Sequence, residues 1–135
     1  MSLKFQFRED NSAILGAIYR PVAKVKFWSA IKNYWLEVWM IVDTGADYTL
    51  LPRFLANDLG VDLDKQCKMF SASGIGGQEK VYLLKEIKVK LGKWERNIPV
   101  GFLDKDQVPP LLGRHKFMET FTTTFSKKQT VEFKS

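Results

Sequence analysis

Ile41-Val42-Asp43-Thr44-Gly45-Ala46-Asp47 is the stretch on which the reading of this chain turns. An acidic residue leaves a wholly apolar run and is followed by a hydroxyl and then by glycine. A carboxylate in that setting is costly to desolvate unless backbone N–H groups bond it. One reading is a reactive carboxylate displayed at the end of a buried strand. The other is a strand-end Asx-turn, in which Asp43 caps its own loop. By spacing alone both readings stand.

Working outward, Tyr34 to Val42 alternates and then becomes continuously apolar, the pattern of a strand that finishes inside the protein and holds whatever follows it from behind. Val22 to Trp28 sets Ala23, Val25 and Phe27 against Lys24, Lys26 and Trp28, and Ser29 to Asn33 joins the two strands as a hairpin loop. Downstream, Pro52 at a first helical position and Gly60 at a C-terminal stop bracket a short helix, Arg53 to Leu59. Lys68 to Tyr82 holds Ser71, Ser73, Gly74, Gly76 and Gly77 between apolar flanks and reads as a hairpin whose tip needs backbone freedom. Ile87, Val89 and Leu91 alternate with lysines, Gly92-Lys93 turns the chain, and Trp94 to Phe102 alternates again. Asp104 to Gln107 is a polar loop. Leu111-Leu112 is a short apolar run ending at Gly113, and Arg114 to Thr120 is expected to form a helix of about two turns. A hairpin of Phe121 to Phe125 and Gln129 to Phe133 follows. Many short strands and few helices make the class all-β. One internal echo stands out: an apolar strand ending at Asp43-Thr44-Gly45 and another ending at Leu112-Gly113, each followed by a helix candidate. This suggests pseudo-twofold construction.

Composition narrows the chemistry. With 135 residues, 45% hydrophobic and 27% charged, the chain is expected to form one domain with a real core. The apolar run Val38 to Val42 is far short of the roughly 20 residues that span a bilayer, and Met1 to Asp10 lacks the apolar run of a signal peptide. No membrane contact and a cytoplasmic location are the expectation. A single cysteine, Cys67, and a single histidine, His115, exclude an internal disulfide and an intrachain Cys/His zinc cluster. They also leave a serine or cysteine hydrolase only His115 as base, and that residue, in Gly113-Arg114-His115-Lys116, reads as a surface or helix-start group. Lysine and arginine exceed aspartate and glutamate by 21 to 15, but the cations are spread from Lys4 to Lys134. Trp28, Tyr34, Trp35 and Trp39 interleave with Lys26 and Lys32 as a stacking platform would, yet strand alternation explains them more simply, so no nucleic-acid partner is expected.

Three motifs in order resemble the retropepsin-like aspartic proteases, the single-domain relatives of pepsin. Asp43-Thr44-Gly45-Ala46-Asp47 resembles the catalytic loop. Gly74-Ile75-Gly76-Gly77 resembles the tip of the flap that covers substrate. Leu111-Leu112-Gly113-Arg114 resembles the second apolar-apolar-Gly turn and its helix. Tyr48-Thr49-Leu50-Leu51-Pro52 is similar to the continuation seen in many cellular members. The resemblance implies a single domain over 1–135, an all-β retropepsin-like half-barrel with one or two short helices. Its catalytic loop would be 43–47, its flap about 68–82 and its second turn and helix 111–120; the C-terminal hairpin 121–133 lies beyond these motifs, has no equivalent in the short retroviral enzymes and is similar to strands that cellular members often carry.

It also implies an aspartic endopeptidase built from two copies of the chain, because peptide hydrolysis in this family uses two aspartates around one water and the chain supplies one such motif. Asp43 from each subunit would share a proton, as aspartic protease dyads do. Thr44 would bond across the dimer axis, and Gly45 would let backbone and substrate approach the carboxylates. Ala46 would border the cleft, Asp47 would pair with Arg114 of the same subunit at a partly buried turn, and Gly74, Ile75, Gly76 and Gly77 would fold over a peptide or protein substrate. No metal or organic cofactor is implied. The alternative is a catalytically inactive peptide-binding or dimerisation module with the same fold.

Overall fold

In β4 (Val22–Ser29), Ala23, Val25 and Phe27 are fully buried while Lys24, Lys26 and Trp28 are partly exposed, so the period-two pattern becomes one core face and one solvent face. β5 (Tyr34–Val42) pairs with it antiparallel, from Ser29 opposite Tyr34 to Val22 opposite Ile41, and buries Val38, Met40 and Val42. The connecting loop is pinned by Ser29, which is buried; its hydroxyl donates to the Asp58 carbonyl at 2.7 Å and accepts the Lys32 N–H at 3.2 Å. The computed structural model describes residues 1–74 and 77–135.

The remaining strands of this sheet are β6 (Thr49–Pro52), β7 (Cys67–Gly74), β8 (Gly77–Leu91), β9 (Trp94–Leu103) and β10 (Leu111–Leu112). Their order is β4-β5-β10-β6-β9-β8-β7, and β8 also pairs with β4 through Lys26–Lys90 and Phe27–Val89, so the sheet curls back on itself. A register shift in β8 between Leu84 and Ile87 allows this: its first half pairs with β7 and its second half turns toward β4. The enclosed core holds Phe27, Met40, Leu51, Leu91, Ile98, Phe102 and Leu112. One end is sealed by a smaller sheet, β1 (Ser2–Gln6), β12 (Thr130–Lys134) and β11 (Thr122–Ser126) in that order. There Phe133 packs against Phe121 at 5.7 Å, and Trp94 lies 5.0 Å from both Phe117 and Phe121. β2 (Arg8–Ser12) and β3 (Gly16–Arg20) form a separate two-stranded hairpin.

Two helices interrupt the strands. α1 (Phe54–Leu59) follows Pro52, which is the last residue of β6 rather than the first of the helix; Arg53 stands between them. α2 (Leu63–Gln66) is a single turn started by Asp62, whose side chain accepts the Asp64 and Lys65 N–H groups. The helix expected over Arg114–Thr120 does not form. Lys116 sits at φ 57°, which breaks the α-helical path, and the chain instead makes turns that end in one 3-10 turn, Met118–Thr120. The Arg114 carbonyl accepts both the Phe117 and Glu119 N–H groups across this corner. Among the described residues, no helix is long and apolar enough to cross a membrane.

Candidate active site

Asp43 and Gly113 emerge side by side because the strands before them pair in parallel, Ile41 beside Leu111 and Val42 beside Leu112. The internal echo read in the sequence is therefore a spatial pairing. Four further bonds stitch the two turns together. The Asp43 N–H donates to the Leu112 carbonyl at 3.0 Å, and the Gly113 N–H donates to Thr49 Oγ1 at 3.2 Å. The Arg114 and His115 N–H groups donate to the carbonyls of Ala46 and Asp47 at 3.0 and 2.8 Å. Thr49 is fully buried, and a buried amide left without its acceptor costs about 1–3 kcal/mol, so this hydroxyl is a structural fastener of the site. The sequence offers one sign of it: a lone hydroxyl residue at the start of an apolar run.

Within the loop, Asp43 Oδ1 accepts the Gly45 N–H at 2.9 Å, and the Ala46 N–H donates back to the Asp43 carbonyl at 3.2 Å. The Asx-turn is thus real, but it uses one carboxylate oxygen. Among the described residues Oδ2 accepts no hydrogen bond, and Asp43 is only partly buried, so the carboxylate is held in place through one oxygen alone. A Cβ on Gly45 would lie 3.3 Å from Oδ1, tighter than ordinary contact, which is why this residue can close so near the carboxylate. Thr44 is exposed and Ala46 half-buried.

Arg114 Nη2 meets Asp47 Oδ1, so the two residues are brought together. The pair is not partly buried as expected: the Asp47 side chain is 80% and the Arg114 side chain 49% exposed in the single chain. Both groups sit on the outer rim of the stitched turns, where water screens them. Replacing Arg114 by Ala is therefore expected to cost no more than about 1 kcal/mol in urea unfolding at concentrations where the chain is monomeric. A loss of about 3 kcal/mol or more would identify a buried pair instead.

Tyr48, next to Asp47, packs its ring 6.3 Å from Phe70 of β7 and connects the loop to the β7–β8 hairpin. Burial, with the Asp47 carboxylate beside it, raises the Tyr48 hydroxyl above its ordinary value. Asp47, Tyr48, Arg114, His115 and Glu119 line an open pocket of about 280 Å³ at the edge of the loop. A larger open groove of about 520 Å³, beside Phe54 and Asp106, lies at α1 and away from Asp43. β7 and β8 pair from Cys67–Leu84 up to Gly74–Gly77, so the expected hairpin is present with Gly74 and Gly77 at its end; Ile75 and Gly76 lie outside the described residues. Among the described residues no group of three or more His, Cys, Asp or Glu side chains is arranged to hold a metal ion.

Comparison with known proteins bears on this geometry. A family profile described as aspartyl protease matches residues 30–115. Among solved structures, a retropepsin-like aspartic protease from Rickettsia conorii superposes with a TM-score of 0.69, covering 98% of each chain at 21% identity, and gives the fold as retropepsin-like. No curated protein sequence matches the chain. Because the family match runs over more than half of the sequence, through both the Asp43 loop and the Gly113 turn, this chain belongs to the aspartyl protease family.

Proposed function

We propose that the protein is an aspartic endopeptidase in which two copies of the chain, each supplying Asp43, hydrolyse a peptide bond of an extended substrate. The observation that carries this reading is the Asp43 carboxylate, fixed through Oδ1 by Gly45 at the end of a buried strand and only partly covered by its own chain. Two such groups meeting at a twofold axis would share one proton; the ionised member would take a proton from a water, and the protonated one would give its own to the leaving nitrogen. Thr44 would fix the paired loops against each other, and Gly45 and Ala46 would border the scissile bond. Asp47, buttressed by Arg114, would flank the bound peptide. The β7–β8 hairpin, with Gly74, Ile75, Gly76 and Gly77 at its tip, would cover a peptide lying as an added strand and exclude water. The chemistry calls for no metal or organic cofactor.

The second reading is an inactive peptide-binding or dimerisation module of the same fold, in which Asp43 does no more than cap its loop. The Oδ1–Gly45 bond is the observation in its favour. An unbiased peptide-library digest separates the two: new termini produced by the intact chain support the endopeptidase, and an unchanged library supports the module. Specific activity is also expected to fall on dilution, because a site made by two copies is lost as they part. A sedimenting monomer with full activity would overturn the two-copy site.

A further inference from the structure

The β2–β3 hairpin stands out from the body of the protein. Among the described residues its strands hydrogen-bond into neither of the other sheets, and none of its strand residues is buried. A lone two-stranded hairpin is marginal in water, yet this one is braced along its length. Arg20 Nε lies 2.9 Å and Arg8 Nε 3.3 Å from the two oxygens of Asp10, and the Tyr19 hydroxyl donates to Glu9 at 3.4 Å. Ser12 Oγ accepts the Ile14 and Leu15 N–H groups at 3.2 and 3.1 Å, and Gly16 at φ 74° closes the turn. What the bracing presents is Ile14, 92% exposed, and Leu15, 74% exposed. Single exposed aliphatics are ordinary. Two adjacent ones at the tip of an ordered arm call for a surface to cover them.

The root of the arm lies next to the candidate catalytic loop. The Phe7 N–H donates to the Gln129 carbonyl at 2.8 Å on one side, and on the other the Val42 N–H donates to the Pro21 carbonyl at 2.9 Å. Val42 immediately precedes Asp43, so the arm leaves the body beside the loop that the proposed enzyme sets on its twofold axis. The terminal strands, meanwhile, are engaged within their own chain: β1 pairs with β12 from Ser2–Lys134 to Gln6–Thr130, and the Ser135 N–H donates to the Met1 carbonyl. A contact made by loop 43–47 alone involves five residues a side, against about 20–30 a side in stable interfaces. Residues 8–20 add thirteen more and bring the total to eighteen, and strands of five residues reach about 17 Å.

We propose that the β2–β3 hairpin is a dimerisation arm whose tip, Ile14 and Leu15, docks on a second copy of this chain. The inference rests on the two-copy reading above and adds what holds the copies together. Twofold symmetry makes the contact twice, so each tip substitution is felt at two places.

The test is the double variant Ile14→Asp, Leu15→Asp, whose side chains lie in solvent and whose fold is expected to be unchanged by circular dichroism. In sedimentation across a concentration series its dimer Kd is expected to rise about 100-fold or more, with KM unchanged and kcat recovered once the concentration exceeds the new Kd. The same substitutions placed on Asp43→Asn should dissociate that dimer equally, which separates the arm from the chemistry. In the wild type, amide exchange over residues 9–19 should slow as concentration rises through the dimer range. An unchanged Kd overturns the arm while leaving the two-copy enzyme standing, and moves the contact to another face such as the outer edge of β11. An unchanged Kd with a raised KM assigns the tip to substrate and overturns the arm as well. A wild type that is monomeric and fully active removes both the two-copy reading and the arm.

Discussion

Asp43→Asn is expected to lower kcat/KM by about 10³-fold or more while leaving the fold intact and the dimer as tight or tighter. The amide keeps the size of the carboxylate, and its oxygen can still accept the Gly45 N–H that Oδ1 accepts in the native loop. Capping is thus preserved. What is lost is the ability to take up and release a proton, which general acid–base catalysis needs and which is commonly worth two to four powers of ten. The dimer gains from the same change, because two ionisable carboxylates facing each other across an axis repel whenever both are charged. The measurement is kcat/KM on peptides identified by the library digest, alongside unfolding of both proteins at one fixed concentration, since linkage to dimerisation moves the midpoint. A mutant that cleaves the same peptides at a comparable rate would remove Asp43 from the chemistry. An unchanged or raised midpoint with lost activity is the expected pair of results, because the substitution removes the proton transfer and keeps the cap.

What could be read from the sequence depended on whether a pattern reports burial. Ala23, Val25 and Phe27 alternate because one face of their strand meets the core, and that face is where the structure has it. The same holds for Ile87, Val89 and Leu91 opposite Ile98, Trp94 and their neighbours in β9. The echo between Asp43-Thr44-Gly45 and Leu112-Gly113 was legible because both runs must be apolar to lie together in the sheet. The β2–β3 arm left no such trace: none of its strand residues is buried, so its strands carry Arg8, Glu9, Asp10 and Arg20 where an inward face would have been apolar. Its signals were the turn residues Ser12 and Gly16, which mark a bend without saying what it joins. The helix expected after Gly113 failed for a different reason. Its composition allows a helix, but Lys116 adopts a left-handed conformation, with the Glu119 side chain accepting the Lys116 N–H and the backbone around Arg114 closing two tight turns instead. The pairing of Asp47 with Arg114 followed from the family resemblance, whereas its exposure is set by where the stitched turns reach the surface. Thr49 carries only the weak sign of a hydroxyl heading an apolar run, because the group it fastens is a backbone N–H 64 residues away.

Gly113→Ala is expected to destabilise the protein by at least about 3 kcal/mol, to lower its melting temperature by about 10 °C or more, and to take the activity with it. A Cβ at this position would fall 2.3 Å from both the carbonyl carbon and the oxygen of Tyr48 and 2.8 Å from the nitrogen of Thr49. All three are backbone atoms, so no rotamer change relieves the overlap. The backbone is also held on every side: Leu111 pairs with Ile41 and with Leu50, the Gly113 N–H is bonded to Thr49 Oγ1, and the Arg114 N–H is bonded to the Ala46 carbonyl. Any shift that makes room for a methyl group therefore moves the loop carrying Asp43. Gly101→Ala supplies the contrast. It too is buried, and its Cβ would meet Tyr48, Leu50 and Val81 at 2.8–2.9 Å, but through side-chain atoms that can partly give way, so a cost of about 1–3 kcal/mol is expected. Thr49→Val tests the bond without the overlap and should cost about 1–3 kcal/mol by leaving the Gly113 N–H without its acceptor. Urea unfolding of the three variants at one concentration orders them. If Gly113→Ala were no worse than the other two, the turns would not be in backbone contact, and the parallel pairing that brings Asp43 beside Gly113 would have to be redrawn.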